Sequence, residues 1–282
     1  DLYRKCKRIQ WNALPDSAIM GTEIQGRFVM NLLEVKNLQK IYTGRFGGAR
    51  VQALKNVSFT VESGEYVAIM GESGSGKTTL LNLLAALDRP TGGSVILDGM
   101  DLATVKESAI AAFRRDNLGF VFQEFNLLDT FTVEDNIYLP LVLAGEKYDS
   151  MHARLVPLAD KLGITSLLQK YPYEISGGQK QRVAVASAIA SERPLILFDE
   201  PTSGLDLFHM RQVANVVNQV ANAGKTALVV THDPEFILRC CNYVLHLENG
   251  QIQESYSIEN NDGRNRLLKF FLNDMEKEVS TE

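Results

Sequence analysis

Three stretches with different hydrophobic patterns follow one another along the chain. Residues 32–98 alternate between short apolar runs and turns, residues 101–190 carry apolar positions mostly at helical spacing, and residues 194–253 return to strand–helix–strand alternation. Short apolar runs bounded by turns are typical of buried strands, and strands that alternate with helices favour an α/β fold. The order therefore predicts an α/β core that is interrupted by a helical subdomain at about residues 101–190.

The two ends of the chain depart from this pattern. Residues 1–29 begin with several basic residues and lack the apolar stretch of a secretory signal, whereas regular alternation begins at Met30. We expect residues 1–29 to be a disordered or non-native extension, residues 30–254 to form one domain, and residues 255–282 to form a helical tail. One apolar stripe in the tail is predicted to pack either on the domain's own core or on a partner subunit. It consists of Leu267, Leu268, Phe271, Leu272 and Met275.

A glycine-rich loop follows the apolar run Tyr66–Met70 and precedes the helical stretch Thr79–Leu87. Its sequence fits the pattern G-x-x-x-x-G-K-[ST] without a mismatch, and it reads Gly71-Glu72-Ser73-Gly74-Ser75-Gly76-Lys77-Thr78. Such a loop points successive backbone N–H groups at an anion, and the helix N-terminus adds partial positive charge. We expect Lys77 to reach the β- and γ-phosphates of a nucleotide and the Thr78 hydroxyl to bind Mg²⁺. The alternative, a flexible turn with an incidental lysine, is disfavoured by the flanking strand and helix.

A second apolar run, Pro194–Phe198, is followed directly by Asp199 and Glu200. Ligands in open α/β sheets bind at the carboxyl ends of the strands, which is where these two carboxylates fall. Asp199 suits the Mg²⁺ shell, directly or through water. Glu200 suits the role of a general base for the attacking water. Such a pair alone often begins a surface helix, but together with the phosphate loop it predicts a nucleotide-hydrolysing site.

At Ile175-Ser176-Gly177-Gly178-Gln179 the chain resembles the ATP-binding subunits of ABC transporters, and the resemblance extends over roughly residues 32–253. It implies a RecA-like P-loop NTPase core with an antiparallel β subdomain and an inserted helical subdomain. It also implies ATP and Mg²⁺ as ligands and a homodimer that holds each ATP between two copies. A Ser-Gly-Gly turn that opens a helix presents N–H groups and a hydroxyl, so it is a second anion site that a partner copy can use.

The resemblance implies a role for each matching residue. The implied catalytic residues are Glu200, His232, which contacts the γ-phosphate, and Gln123, which senses Mg²⁺ and the attacking water. The implied Mg²⁺ ligands are Thr78, Gln123 and Asp199. The implied nucleotide contacts are Tyr42, which stacks on adenine, the loop Gly71 to Thr78 with Thr79, the partner's Ser176, Gly177, Gly178 and Gln179, and Asp206 in a loop that crosses the dimer interface. Taken singly, each of these residues has an ordinary structural alternative; their shared order along the chain is what favours the family.

Composition narrows the possible partners. The formal net charge is −5 and 22% of the residues are charged, so nucleic-acid binding is not indicated. No apolar run is long enough to span a bilayer, so we expect the membrane permease to be a separate chain. The three cysteines have no zinc-binding spacing, which fits a reducing cytosol. The expected location is cytoplasmic, peripheral on the inner face of the cell membrane.

Two segments narrow the resemblance further. Residues 122–137 and 171–174 resemble the subgroup that serves lipoprotein release, macrolide export and antimicrobial-peptide resistance. The expected function is therefore to power a permease that exports or removes antimicrobial peptides or similar amphiphiles. A non-transport ABC ATPase of the cell-division or iron–sulfur assembly type is the alternative. Ribosome and DNA-repair types are disfavoured, because the chain has one cassette and no sustained heptads.

Overall fold

The computed structural model of the protein describes residues 23–24, 27–28, 31–43, 50–222 and 225–279. The predicted extension, residues 1–29, lies outside this description except for one short antiparallel pair, β1 (Glu23–Ile24) with β2 (Arg27–Phe28). The remaining described residues form two sheets with helices on their faces.

The larger sheet has six strands. In spatial order they are β12 (Gln251–Ser257), β11 (Tyr243–Glu248), β5 (Tyr66–Met70), β10 (Thr226–Val230), β9 (Leu195–Asp199) and β8 (Leu118–Val121). All are parallel except β12, which pairs antiparallel with β11. Strands β5, β9 and β10 are buried along their whole length, as expected of parallel strands covered on both faces. The two apolar runs of the sequence are thus neighbours of β10 at the centre of the sheet.

The smaller sheet is antiparallel and has four strands. In spatial order they are β4 (Arg50–Glu62), β3 (Asn31–Thr43), β6 (Gly92–Leu97) and β7 (Met100–Asp101). Its inner face packs on helix α1 (Lys77–Leu84) and on Val67 and Ile69 of β5, forming one hydrophobic core. The two sheets therefore enclose the loop that joins β5 to α1. This arrangement confirms the predicted α/β class with an antiparallel β subdomain.

Most of the remaining helices pack on the other face of the larger sheet. The further helices in the described residues are α2 (Glu107–Asn117), α3 (Val133–Leu143), α4 (Tyr148–Lys161), α5 (Gly177–Ala190), α6 (Leu207–Asn222), α7 (Pro234–Cys240) and α8 (Asn261–Val279). Residues of α3 to α7 join Val121, Ile196, Phe198 and Val229 of the sheet in the largest core cluster. Within the described part of the chain, no helix has the length and apolar character needed to cross a membrane.

The segment predicted as a helical subdomain, about residues 101–190, is not helical throughout. Strand β8 lies inside it and pairs with β9, so residues 118–121 belong to the larger sheet. The chain passes from α2 into β8 without a turn. Because no turn residues separate the two elements, the hydrophobic pattern of the sequence does not distinguish this short strand from the helix before it. Two helices without an intervening strand, α3 and α4, follow β8, and α5 then returns to pack beside β8.

Candidate nucleotide site

The glycine-rich loop has a backbone that requires glycine at two positions. Gly71 has φ of 150°, and a Cβ there would lie 2.0 Å from the carbonyl oxygen of Leu247. Gly76 has φ of 105°, and its Cβ would lie 2.7 Å from the carbonyl oxygen of Ala53. Helix α1 begins immediately afterwards, at Lys77. The loop is therefore a tight turn at a helix N-terminus, the arrangement that binds phosphate.

Lys77 is held inside this loop. Its Nζ donates hydrogen bonds to the carbonyl oxygens of Gly71 at 2.5 Å and Glu72 at 2.8 Å. The residue is 8% exposed, and burial lowers the pKa of its ammonium group, while the Glu200 and Asp199 carboxylates oppose that change. The ammonium group of Lys77 is thus held against the loop by the loop's own carbonyl groups.

Asp199 and Glu200 lie at the carboxyl end of β9. Asp199 is 8% exposed, and burial raises its pKa against the opposing effect of Lys77. Glu200 has a left-handed φ of 49°, and its N–H donates to the carbonyl oxygen of Val230 at the end of β10 (2.9 Å). Burial raises the pKa of Glu200 to about 7; Asp199 adds to this rise, and a hydrogen bond from the backbone of His232 opposes it. The His232 Nε2 atom lies 3.3 Å from Glu200 Oε1.

A cleft of about 680 Å³ brings most of the predicted residues together. The predicted residues that line it are Ser73, Gly74, Gly76, Lys77, Thr78, Thr79, Gln123, Asp199, Glu200 and His232. Gly71, Glu72 and Ser75 belong to the same loop but do not line the cleft. The glycine-rich loop, a carboxyl group whose pKa is raised by burial and an imidazole therefore share one open cavity. Such a set of groups has the chemistry needed to hold phosphates and to accept a proton from water.

Tyr42 lies beside this cleft rather than in its wall. It pairs across the antiparallel sheet with Val51, which does line the cleft. Its side chain is 41% exposed, and its hydroxyl donates to Asp88 Oδ2 at 3.0 Å. Lys40 also forms an ion pair with Asp88 and lies 4.9 Å from the centre of the Tyr42 ring. The aromatic ring is thus held at the rim of the cleft, on the side formed by the smaller sheet.

The turn Ser176 to Gln179 lies outside the cleft of its own chain. Ser176 is the N-cap of α5: its hydroxyl accepts from the Gln179 N–H, and Gln179 Oε1 accepts from the Ser176 N–H at 2.9 Å. This reciprocal capping box fixes the start of the helix. Gly178 lies beside Leu205, and the neighbouring Asp206 accepts a hydrogen bond from the backbone N–H of His209 at 2.8 Å. Ser176 and Asp206 both remain exposed, so one surface carries the turn and the predicted interface loop.

Eight other lining residues were not among the predicted site residues. They are Val51, Gln52, Ala53, Lys55, Ser203, Val230, Asn249 and Gly250. Among them, Gly250 supports the phosphate loop, because its N–H donates to the Ser75 carbonyl at 3.0 Å and its carbonyl accepts from the Lys55 N–H at 2.7 Å. The Asn-Gly pair is a strong hairpin signal, but only the folded sheet places this hairpin against the loop.

Comparison with known proteins defines the family. A family model described as "ABC transporter" matches residues 54–203, more than half of the chain, and a second model, "AAA domain, putative AbiEii toxin, Type IV TA system", matches residues 170–238. The chain is 45% identical to ABC transporter ATP-binding protein YxdL of Bacillus subtilis, over 82% of this chain and 89% of that protein. It is 41% identical to bacitracin export ATP-binding protein BceA of Halalkalibacterium halodurans, over 79% and 87%.

A further relative and a solved structure point to the same family. The chain is 40% identical to macrolide export ATP-binding/permease protein MacB of Neisseria meningitidis, over 79% of this chain but 34% of that protein. The dimeric structure of MJ0796, a bacterial ABC transporter cassette, superposes with a TM-score of 0.75 at 34% identity, covering 81% of this chain and 99% of that one. The chain belongs to the ABC transporter family, in which it is an ATP-binding and ATP-hydrolysing subunit.

Proposed function

We propose that this chain hydrolyses ATP with Glu200 as the general base and that two copies do so together to drive a membrane permease. The observation that carries the proposal is the placement of Glu200, whose pKa is raised by burial to about 7, beside His232 in the cleft of the phosphate loop. A base whose pKa lies near the working pH can both accept a proton and be ionised when it is needed.

Mg²⁺ is proposed as the accompanying cation. The Thr78 hydroxyl, the Gln123 amide and the Asp199 carboxylate all line the same cleft and offer the oxygen ligands that Mg²⁺ prefers. Mg²⁺ commonly binds one or two carboxylates together with substrate phosphates, so a full set of protein ligands is not needed. When bound, the ion neutralises phosphate charge, while Lys77 supplies a fixed positive charge at the same phosphates.

A homodimer is proposed because Ser176 to Gln179 and Asp206 do not line the cleft of their own chain, whereas Ser176 and Asp206 are exposed at its surface. In a head-to-tail pair, the exposed helix N-terminus of one copy would face the γ-phosphate bound by the other. The MJ0796 cassette, which resembles this chain, was solved as a dimer, and that observation supports the same assembly here. ATP would then act as a ligand that links the two copies.

The proposed partner is a separate permease, with the chain peripheral on the cytoplasmic face of the membrane. The names of BceA and MacB describe bacitracin export and macrolide export, which favours a permease that removes antimicrobial peptides or similar amphiphiles. No observation on the described residues favours the cell-division or iron–sulfur assembly alternative.

Two substitutions test the assignment of the site. Glu200→Gln is expected to retain ATP binding but to lower the hydrolysis rate by at least about 100-fold, because an amide cannot accept the proton. Lys77→Ala is expected to weaken ATP binding itself, since it removes the only side-chain cation inside the loop 71–78. Single-turnover hydrolysis and equilibrium binding of a fluorescent ATP analogue would measure both. Hydrolysis by Glu200→Gln at the wild-type rate would remove Glu200 from its proposed role.

A further inference from the structure

Gln181 is a buried amide on helix α5 that touches the backbone of Glu200. It is 0% exposed, and its Nε2 atom donates to the carbonyl oxygen of Glu200 at 3.3 Å. A carbonyl oxygen can only accept, so this contact fixes which end of the amide faces Glu200. The other end, Oε1, is buried and has no hydrogen-bond partner among the described residues. A buried acceptor without a partner destabilises the fold, so packing alone does not account for an amide at this position.

Within the described part of the chain, three hydrogen bonds hold the backbone of Glu200. Its N–H donates to Val230 O at 2.9 Å, and its carbonyl accepts from the Ser203 N–H at 3.2 Å and from Gln181. The first contact comes from β10 and the second from the turn that Glu200 itself begins. Among the described residues, Gln181 is the only one whose hydrogen bond ties this peptide to a helix, and it does so at a residue whose φ of 49° is sparsely populated by non-glycine residues. Such a conformation persists only where surrounding contacts hold it.

The same helix begins with the turn that is proposed to cap ATP in the partner copy. Ser176 is the N-cap of α5, and Gln181 lies in its second turn. We infer that Gln181 is a positioning residue: it fixes the backbone of Glu200 and joins the Ser176 to Gln179 turn, which would serve one ATP site, to the general base of the other. The inference rests on the proposed role of Glu200 and on the proposed dimer. Movement of α5 when ATP is bound at its N-terminus would therefore reach Glu200 in the same chain.

The decisive variant is Gln181→Met, which keeps the volume and removes both polar atoms. If Gln181 only fills the core, Met should leave activity unchanged and keep or raise the melting temperature, because the unpaired Oε1 is gone. If Gln181 positions Glu200, the melting temperature should behave in the same way, but kcat for ATP should fall on the order of tenfold or more. KM should stay within about twofold, because uniform binding of ATP is untouched. The acid limb of the pH–kcat profile should also move, since it reports the environment of Glu200.

Gln212→Met is the matched control. Gln212 on α6 also has a buried Oε1 atom without a partner among the described residues, but it lies beside Gly163 rather than Glu200. Its kcat and pH profile should equal those of the wild type. Gln181→Asn, in which the amide is one methylene too short to reach Glu200, should lose activity as Gln181→Met does. It keeps the test usable if the Met variant folds poorly.

The same measurements in a Glu200→Gln background separate the two proposals. Once the base is gone, Gln181→Met should lower the residual rate no further, because both changes act through one group. An equal loss in both backgrounds, or a wild-type kcat and pH profile for Gln181→Met, would overturn the positioning role while leaving the general base intact. Unimpaired hydrolysis by Glu200→Gln alone would instead overturn the proposed function.

Discussion

At the scale of single residues, the site buries three ionisable groups whose charged forms are ordinarily stabilised by water. These groups are Lys77, Asp199 and Glu200, which are all largely buried in one cleft. Burial lowers the pKa of Lys77 and raises those of Asp199 and Glu200, so in each case it favours the uncharged form. The two carboxylates repel one another, while Lys77 stabilises both charged forms. This arrangement costs stability in the nucleotide-free protein and leaves a carboxyl group that can exchange a proton near neutral pH.

The raised pKa of Glu200 predicts a pH-dependent loss of stability. An acid whose pKa rises from 4.5 to about 7 on folding contributes nothing below pH 4.5, where both states are protonated, and destabilises the fold increasingly as pH rises to 7. Glu200→Gln should therefore raise the free energy of unfolding by about 1–3 kcal/mol at pH 8. The gain should vanish near pH 4.5, the ordinary value for glutamate.

Denaturant unfolding of the nucleotide-free protein across this pH range would measure the effect. Glu248→Gln, at an exposed carboxylate on β11, controls for the loss of one negative charge. A difference between Glu200→Gln and wild type that is the same at both ends of the range would contradict the assignment of the raised pKa.

At the scale of elements, helix α5 is fixed at its start by a capping box and at its interior by burial. The residues Val183 to Ala186 and Ala188 are at most 5% exposed, whereas Ser176 and Gly177 face solvent. The helix N-terminus is thus fixed in place and at the same time exposed to solvent, which suits a contact with a phosphate that is bound by another copy of the chain.

This geometry predicts an ATP-dependent dimer that requires Ser176. In the Glu200→Gln background, which blocks turnover, ATP should convert monomers to dimers, and adding Ser176→Arg should prevent that conversion by placing bulk where phosphate would lie. Ser176→Thr, which keeps a hydroxyl cap, should still dimerise. Sedimentation velocity with and without ATP would decide. A monomer–dimer balance indifferent to ATP would contradict the shared site.

Helix α8 shows how one apolar stripe serves the chain's own core. Leu267 is 0% exposed in a cluster with Met70, Ile237 and Val244, and Phe271 packs against that cluster. Leu268 is 45% exposed. The side chains of Leu272 and Met275 lie outside the described part. Of the two interpretations of the stripe, packing on the domain's own core thus applies to Leu267 and Phe271.

Leu267→Ala should therefore destabilise the isolated protein by about 2–4 kcal/mol, because it leaves a cavity in a well-packed cluster. Leu268→Ala, one residue further on, should change stability by less than about 0.5 kcal/mol. Thermal unfolding of both variants would test this. Equal effects of the two substitutions would show that α8 does not pack as described.

At the scale of the whole molecule, the loop after Gln123 joins the cleft to a surface of exposed apolar residues. Asn136 holds this loop: its Oδ1 accepts from the Leu128 N–H at 2.8 Å, and its Nδ2 donates to the Leu128 and Phe131 carbonyls. Leu128 and Phe131 are 44% and 38% exposed, whereas Phe125 and Leu127 pack on the core. Tyr171 and Tyr173, stacked with ring centres 5.5 Å apart, add to the exposed set.

We expect the permease to contact Leu128. Leu128→Asp should abolish co-purification with the permease and permease-stimulated ATPase activity while leaving basal ATPase within about twofold, because the side chain is exposed and exposed substitutions cost little. Leu143→Asp, at another exposed leucine at the end of α3, is the control and should keep both the co-purification and the stimulation by the permease. Loss of basal activity in Leu128→Asp would place this residue in the core instead.

Charge reversal at Glu174 is a less selective test of the same surface. Its Oε2 accepts from the Tyr171 N–H at 2.6 Å and so closes the short turn Pro172–Glu174. A substitution there would disturb the local backbone as well as any contact with a permease.

The sequence alone determined the chemistry of the phosphate loop and the central strands. One turn requires glycine at positions 71 and 76, Lys77 and the apolar run before them. Because these requirements are local, a sequence motif could specify them. The buried runs 66–70 and 195–198 could be recognised because parallel strands covered on both faces are continuously apolar.

Only the tertiary structure decided those features that require segments far apart in the sequence to come into contact. Strand β8 was hidden because it directly follows a helix and is identified by its pairing with β9 rather than by its own pattern. The hairpin at Gly250 and the strand residues Val51 to Lys55 line the cleft only because two sheets enclose it. The raised pKa of Glu200 and the contact from Gln181 likewise arise from burial and from the approach of α5, and neither leaves a periodic signal in the sequence.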